Sequence, residues 1–104
     1  MLTAVRKLTK AEVYSLYSSV ISISNRNKTD GFLNKNYDLI VKLLTVKKSV
    51  QTEMEALEES KATVQDILAD KRQAEYNLPV FTEDELKIMI GGPEELEAFE
   101  TLLG

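Results

Sequence analysis

The chain has 104 residues, about one small domain, with 43% hydrophobic and 29% charged residues and a net charge of −4. It contains neither cysteine nor histidine, which excludes disulfides, thiolate metal sites and imidazole chemistry; any catalysis would rest on carboxylates, lysine, tyrosine or hydroxyls. No apolar run reaches the ~20 residues that span a bilayer, and MLTAVRKLTK lacks the apolar core of a secretory signal. A cytoplasmic or virion-borne protein with no membrane partner is expected.

The charge is graded along the chain. Residues 1–52 carry nine Lys/Arg against three Asp/Glu, residues 53–81 three against seven, and residues 82–104 one against seven. Opposite-sign regions of this kind are expected to pack together, within one chain or between neighbours.

Residues 1–8, with Leu2, Val5 and Leu8 three apart, read as a helical turn or an extended arm. Thr9 and Glu12 then form a T-x-x-E capping box, with Leu8 and Val13 placed as a hydrophobic staple. Val13, Leu16, Tyr17, Val20 and Ile21 recur at helical spacing, so a helix is expected over 10–24. NRNKTDG, residues 25–31, reads as a loop. Its spacing fails as a calcium loop, because the glycine and the last ligand position are both misplaced.

From Phe32 to Tyr76 there is no proline, glycine or turn cluster, which predicts one helix over 32–76, about 65 Å long. Its first third is apolar over more than one stripe. Beyond Val46 the stripe thins, and Glu53, Ser60 and Lys61 interrupt both candidate heptad registers. A bundle with irregular neighbours is expected rather than a regular coiled coil. Pro79 ends this helix. A second capping box, Thr82 with Glu85, opens a short helix over 83–90, and Gly92-Pro93 opens the last, over 93–103.

Few residues carry chemistry. Ser15, Ser18, Ser19, Ser22 and Ser24 have no activating base beside them in sequence and read as a small-residue face where helices approach closely. Glu55 with Glu59, and the group Glu94, Glu95 and Glu97, are acidic without specific metal spacing. Arg26, Lys28, Lys35, Lys42, Lys47 and Lys48 are candidate contacts for an anionic ligand, either nucleic acid or a nucleotide. No cofactor, metal site or catalytic residue is assigned, and enzymatic activity is not expected.

The order of NKNYDLIVKLLTVKKSVQTEMEALEESKATV, NLPVFTEDEL and PEELEAFETLLG resembles a family of small, uncharacterised helical proteins of tailed phages. The resemblance implies a viral origin, an all-helical fold and no enzymatic activity.

The expected fold is therefore all-α. A short first helix packs antiparallel on one very long helix, and two short C-terminal helices follow. The short helices cannot cover a rod of that length, so a helical-bundle homo-oligomer is expected. Its interface is assigned to Leu39, Leu43, Val46, Val50, Met54, Leu57, Val64, Leu68 and Phe99. The expected function is binding: a virion or assembly component, or an inhibitor of a host protein. The alternative is a nucleic-acid or nucleotide-sequestering module using the basic residues 26–48.

Overall fold

A computed structural model of the protein describes residues Met1–Gly104. The elements in order are β1 (Thr3–Thr9), α1 (Lys10–Asp30), α2 (Tyr37–Glu59), α3 (Val64–Ala69), β2 (Gln73–Pro79), α4 (Glu83–Met89) and α5 (Pro93–Glu100). The fold mixes helix and sheet, which corrects the all-α and helical-bundle expectations.

The sheet is a two-stranded antiparallel ribbon that joins the start of the chain to its last third. Thr3 pairs with Pro79, Arg6 with Tyr76 and Thr9 with Gln73. Along β1 the alternation has period two: Ala4, Arg6 and Leu8 turn inward, while Thr3, Val5 and Lys7 are exposed. QAEY, the start of β2, consists mainly of good helix formers, and pairing with a strand more than sixty residues away overrides that preference. A two-stranded ribbon is marginal alone. Here Leu8 and Leu78 anchor it in the core, at 3% and 0% exposure.

Thr9 ends β1 and caps α1. Its hydroxyl accepts the Glu12 N–H at 3.2 Å, and the Glu12 carboxylate accepts the Thr9 N–H at 2.9 Å. The helix runs beyond the expected residue 24 to Asp30, through most of the stretch read as a loop. It stops at Gly31, whose φ of 67° is left-handed and whose N–H returns to the Asn27 carbonyl. The polar residues of this stretch cap the turn that follows. Asn27 Oδ1 accepts the Leu33 N–H at 2.7 Å, and Asp30 Oδ1 accepts the Phe32 N–H at 3.1 Å.

The expected 32–76 helix is three elements. Residues 31–36 form the turn, and α2 ends at Ser60 and Lys61 without glycine or proline. Lys61 takes the left-handed conformation, φ 55°. Its N–H bonds to the Glu58 carbonyl at 3.2 Å, and the Ala62 N–H reaches the Leu57 carbonyl at 3.3 Å. This is a Schellman motif with lysine in the usual glycine position. A further capping box, Thr63 with Asp66, then starts α3. Asp70 closes α3 and steers the chain into β2. It accepts from Lys10 at 3.0 Å and from the Arg72 guanidinium at 2.7 Å. These contacts, Arg72 first, hold its carboxyl well below the usual range.

Twenty buried apolar residues form one core. Leu39, Leu43, Val46, Val50, Met54 and Leu57 make a single helical stripe on α2 that faces it. Phe81 and Phe99 meet edge to face, with ring centroids 5.3 Å apart. α4 runs from Glu83 to Met89, under the expected Thr82–Glu85 box, and α5 ends at Glu100, short of the expected 103. The chain end turns back instead, pairing Leu103 with Phe81. The molecule measures 38 × 28 × 23 Å, so the 65 Å rod does not form.

Candidate functional site

Three of the five serines on α1 recur on its outward side: Ser15, Ser18 and Ser22 are exposed. Ser19 lies one step around the helix and is buried. α5 packs beside this face, and Ser22 bonds to it, while Ser15 and Ser18 line an opening between the two helices rather than a close approach.

A polar clamp on Glu95 positions α5. Its Oε2 accepts from Arg26 Nη1 at 2.6 Å and from the Ser22 hydroxyl at 2.8 Å, and its Oε1 accepts the Gly91 N–H at 2.8 Å. Arg26 Nη2 donates to the Met89 carbonyl at 2.6 Å, and the guanidinium lies 5.4 Å from the Phe32 ring centroid. Burial alone would raise the pKa of Glu95. The Arg26, Gly91 and Ser22 donors outweigh it and lower the pKa. Ser22 and Glu95 thus make a hydroxyl–carboxylate pair whose carboxylate is a weak base, the wrong property for activating a nucleophile.

Towards the N-terminal end of α1 the two helices leave an open groove of about 570 Å³, a volume typical of ligand sites. Ser15, Ser18 and Ser19 line it from α1 with Tyr14 and Ala11, and Glu94, Glu97 and Ala98 line it from α5. Glu12 and Thr101 complete it. No lysine or arginine lines the groove, and its charged lining residues, Glu12, Glu94 and Glu97, are all acidic. A shallower concavity that shares Ser18 continues along α1 past Ile21 and Asn25. No group of three or more acidic side chains is arranged to hold a metal ion.

The basic candidates do not form one site. Arg26 is in the Glu95 clamp. Lys42 Nζ bonds to both Glu85 oxygens, at 2.7 and 2.9 Å, and to the Val80 carbonyl at 2.9 Å, 5.3 Å from the Phe81 ring centroid. Lys28, Lys35 and Lys48 are exposed and Lys47 is half-buried. The graded charge is thus partly neutralised inside the chain, basic α1 and α2 against acidic α4 and α5.

Of the nine residues assigned to an interface, Leu39, Leu43, Val46, Val50, Met54, Leu57 and Phe99 are buried in this chain's own core. Val64 and Leu68 are exposed on α3. The stripe that suggested a missing partner is therefore occupied from within. Glu95 and Tyr14 were not distinguished by the sequence. Glu95 differs from Glu94 and Glu97 only in which side of α5 it occupies, and that depends on where the helix docks.

No helix is long and apolar enough to cross a membrane. Comparison with protein-family models, curated proteins and solved structures finds no match to this chain.

Proposed function

We propose that this chain is a non-catalytic protein-binding module whose working surface is the groove between α1 and α5. The observation that carries this reading is the groove itself: a concavity of about 570 Å³ between two helices that the Glu95 clamp ties together. The clamp couples the two walls, so the groove is preformed and binding costs little ordering. The absence of imidazole and thiol from the chain and the depressed basicity of Glu95 support binding over chemistry. Self-association is not needed to complete the core. The phage-protein resemblance supplies the setting of this reading, an assembly component or an inhibitor of a host protein, in the host cytoplasm or the virion.

The test is photo-crosslinking in cells of the source, with benzoylphenylalanine placed at Tyr14 in the groove or at Lys48 on α2. The expected result is one protein adduct from position 14 that excess wild-type chain suppresses and that position 48 does not give. Equal labelling from both positions would overturn the groove as the working surface.

A further inference from the structure

We propose that the outer edge of β1 pairs with β1 of a second copy of this chain, antiparallel and centred on Val5, so that two ribbons join into one four-stranded sheet. The pattern of backbone bonds shows which groups are free. In an antiparallel pair, alternate residues exchange hydrogen bonds with the neighbouring strand, and the residues between them turn theirs the other way. The Val80 N–H donates to the Leu2 carbonyl at 3.0 Å, and the same register pairs Ala4 with Leu78 and Arg6 with Tyr76. Thr3, Val5 and Lys7 therefore direct their N–H and C=O groups away from β2. Two side-chain contacts have the same parity: the Thr9 N–H goes to Glu12, and the Asn77 carbonyl accepts from Ser49 at 3.3 Å.

The two edges of the ribbon are unequal. The β2 edge is closed: α2 packs beside it and supplies Ser49 to Asn77, Pro79 has no N–H, and just beyond the strand the Phe81 backbone bonds to Leu102 and Gly104. Nothing in the chain bonds to the outward backbone groups of Thr3, Val5 and Lys7. All three residues are exposed, Val5 at 62%. β1 contains no proline and pairs from Thr3 to Thr9 without a bulge, so of the devices that blunt an edge only the charge of Lys7 is present. A row of alternating donors and acceptors is satisfied by another extended backbone.

The sequence of β1 selects a second copy as that backbone. Outward groups must meet outward groups, which restricts a two-fold pairing to a few registers. Centred on Val5, each Val5 faces the other, Thr3 faces Lys7 and Ala4 faces Arg6. No like charges are opposed, and a β-branched pair that is exposed in one chain sits at the centre. Leu2, 72% exposed, comes opposite Leu8 of the second copy. Centring on Arg6 instead sets that arginine against itself, and centring on Ala4 separates the two valines. Lys7 keeps Glu75 opposite it on its own ribbon. This pairing takes nothing from the core, so each chain folds before it associates, unlike the bundle whose assigned interface is buried within one chain.

The test is sedimentation equilibrium of the full chain over a range of concentrations, with amide hydrogen exchange measured at the lowest and the highest. The mass should rise from monomer to dimer. The amides of Thr3, Val5 and Lys7 should gain protection with it, while that of Glu75, on the other edge, should not. Val5→Lys and Val5→Glu, each melting as the wild type does, should each weaken association about tenfold, because like charges then face each other at the centre. An equimolar mixture of the two variants should return to within about threefold of the wild type, because opposite charges then meet. A chain that stays monomeric at every concentration, a dimer that Val5→Lys leaves unchanged, or a mixture that stays dissociated would each overturn the inference. Protection of these amides by an unrelated extended peptide, but not by concentration, would assign the edge to a foreign strand and overturn it too.

Discussion

Arg26 on α1 and Glu95 on α5 lie 69 residues apart in sequence and meet at 2.6 Å. The pair fixes the last helix against the first, and Ser22 and the Gly91 N–H share its carboxylate. The Glu95 side chain is 11% exposed and that of Arg26 35%. Replacing Glu95 by Ala strands three donors, one of them charged. A loss of about 2 kcal/mol is expected, below the usual cost of breaking a fully buried pair because Arg26 can still reach water. Urea denaturation measures it. Ser22→Ala removes only one of the four donor–acceptor links around the clamp and should cost about 0.5 kcal/mol.

Acid sensitivity follows from the same carboxylate and from Glu85. Burial pushes both pKa values up, but their donors prevail and leave both below the ordinary value. The folded state therefore holds fewer protons than the unfolded state as each site titrates. Their stabilisation is present above the unfolded pKa, about 4.5, and is lost as pH falls through the lower folded values. Denaturation midpoints should be level near neutrality and fall on acidification. Replacing both residues by Gln should flatten that acid limb, leaving the part due to Asp70, whose pKa is also lowered.

Glu85 has two roles that substitution can separate. It accepts from Lys42, and it is the third residue of the α4 capping box, where its Oε1 takes the Thr82 N–H at 3.0 Å. Gln keeps the capping geometry and loses the charge. Ala loses both. Glu85→Gln should cost about 1 kcal/mol and Glu85→Ala about 2 kcal/mol. Lys42→Met should resemble the larger loss, because it leaves the Val80 carbonyl and the Glu85 carboxylate facing each other across a half-closed site. Thermal unfolding of the three variants ranks them.

Where local chemistry set the structure, the sequence was readable. Thr9–Glu12, Thr82–Glu85 and Gly92–Pro93 each place a helix start where it is found. The apolar residues Leu39 to Leu57 are legible as a buried set, but the sequence suggests more than one stripe and an outside partner, whereas they form one face turned to this chain's own core. The ribbon was not readable, because Gln73, Ala74 and Glu75 favour helix and no hairpin turn announces a strand that pairs with residues 3–9. The groove was half readable. The serines mark the small-residue side of α1, but only the docking of α5 selects Glu94 and Glu97 for the groove and Glu95 for the clamp.

Burial of the α2 stripe within one chain changes what a charged substitution there should do. Leu43 is 4% exposed and belongs to the same core as Phe81 and Phe99. A glutamate at that position buries an unpaired charge, which costs several kcal/mol, enough to exhaust much of the ~5–15 kcal/mol typical of a small domain. Leu43→Glu should lose its cooperative thermal transition, rather than dissociate into a folded monomer. A Leu43→Glu chain that melts cooperatively at the wild-type temperature while its mass halves would place Leu43 at an interface instead. Light scattering and calorimetry on the same sample distinguish the two.

Lys61 tests the end of α2. Its φ of 55° costs a residue with a Cβ roughly 1 kcal/mol relative to glycine. Glycine offsets about half of that advantage through its greater freedom in the unfolded chain. Lys61→Gly should therefore stabilise the protein by about 0.5 kcal/mol while keeping the Ala62-to-Leu57 hydrogen bond. A β-branched residue has a harder clash in the left-handed region, so Lys61→Val should destabilise. If α2 instead continued unbroken through this point, the order would reverse: glycine would cost about 1 kcal/mol as a mid-helix residue, and valine would be nearly neutral. The sign of the change in urea midpoint decides between a helix that stops at Ser60 and one that runs on.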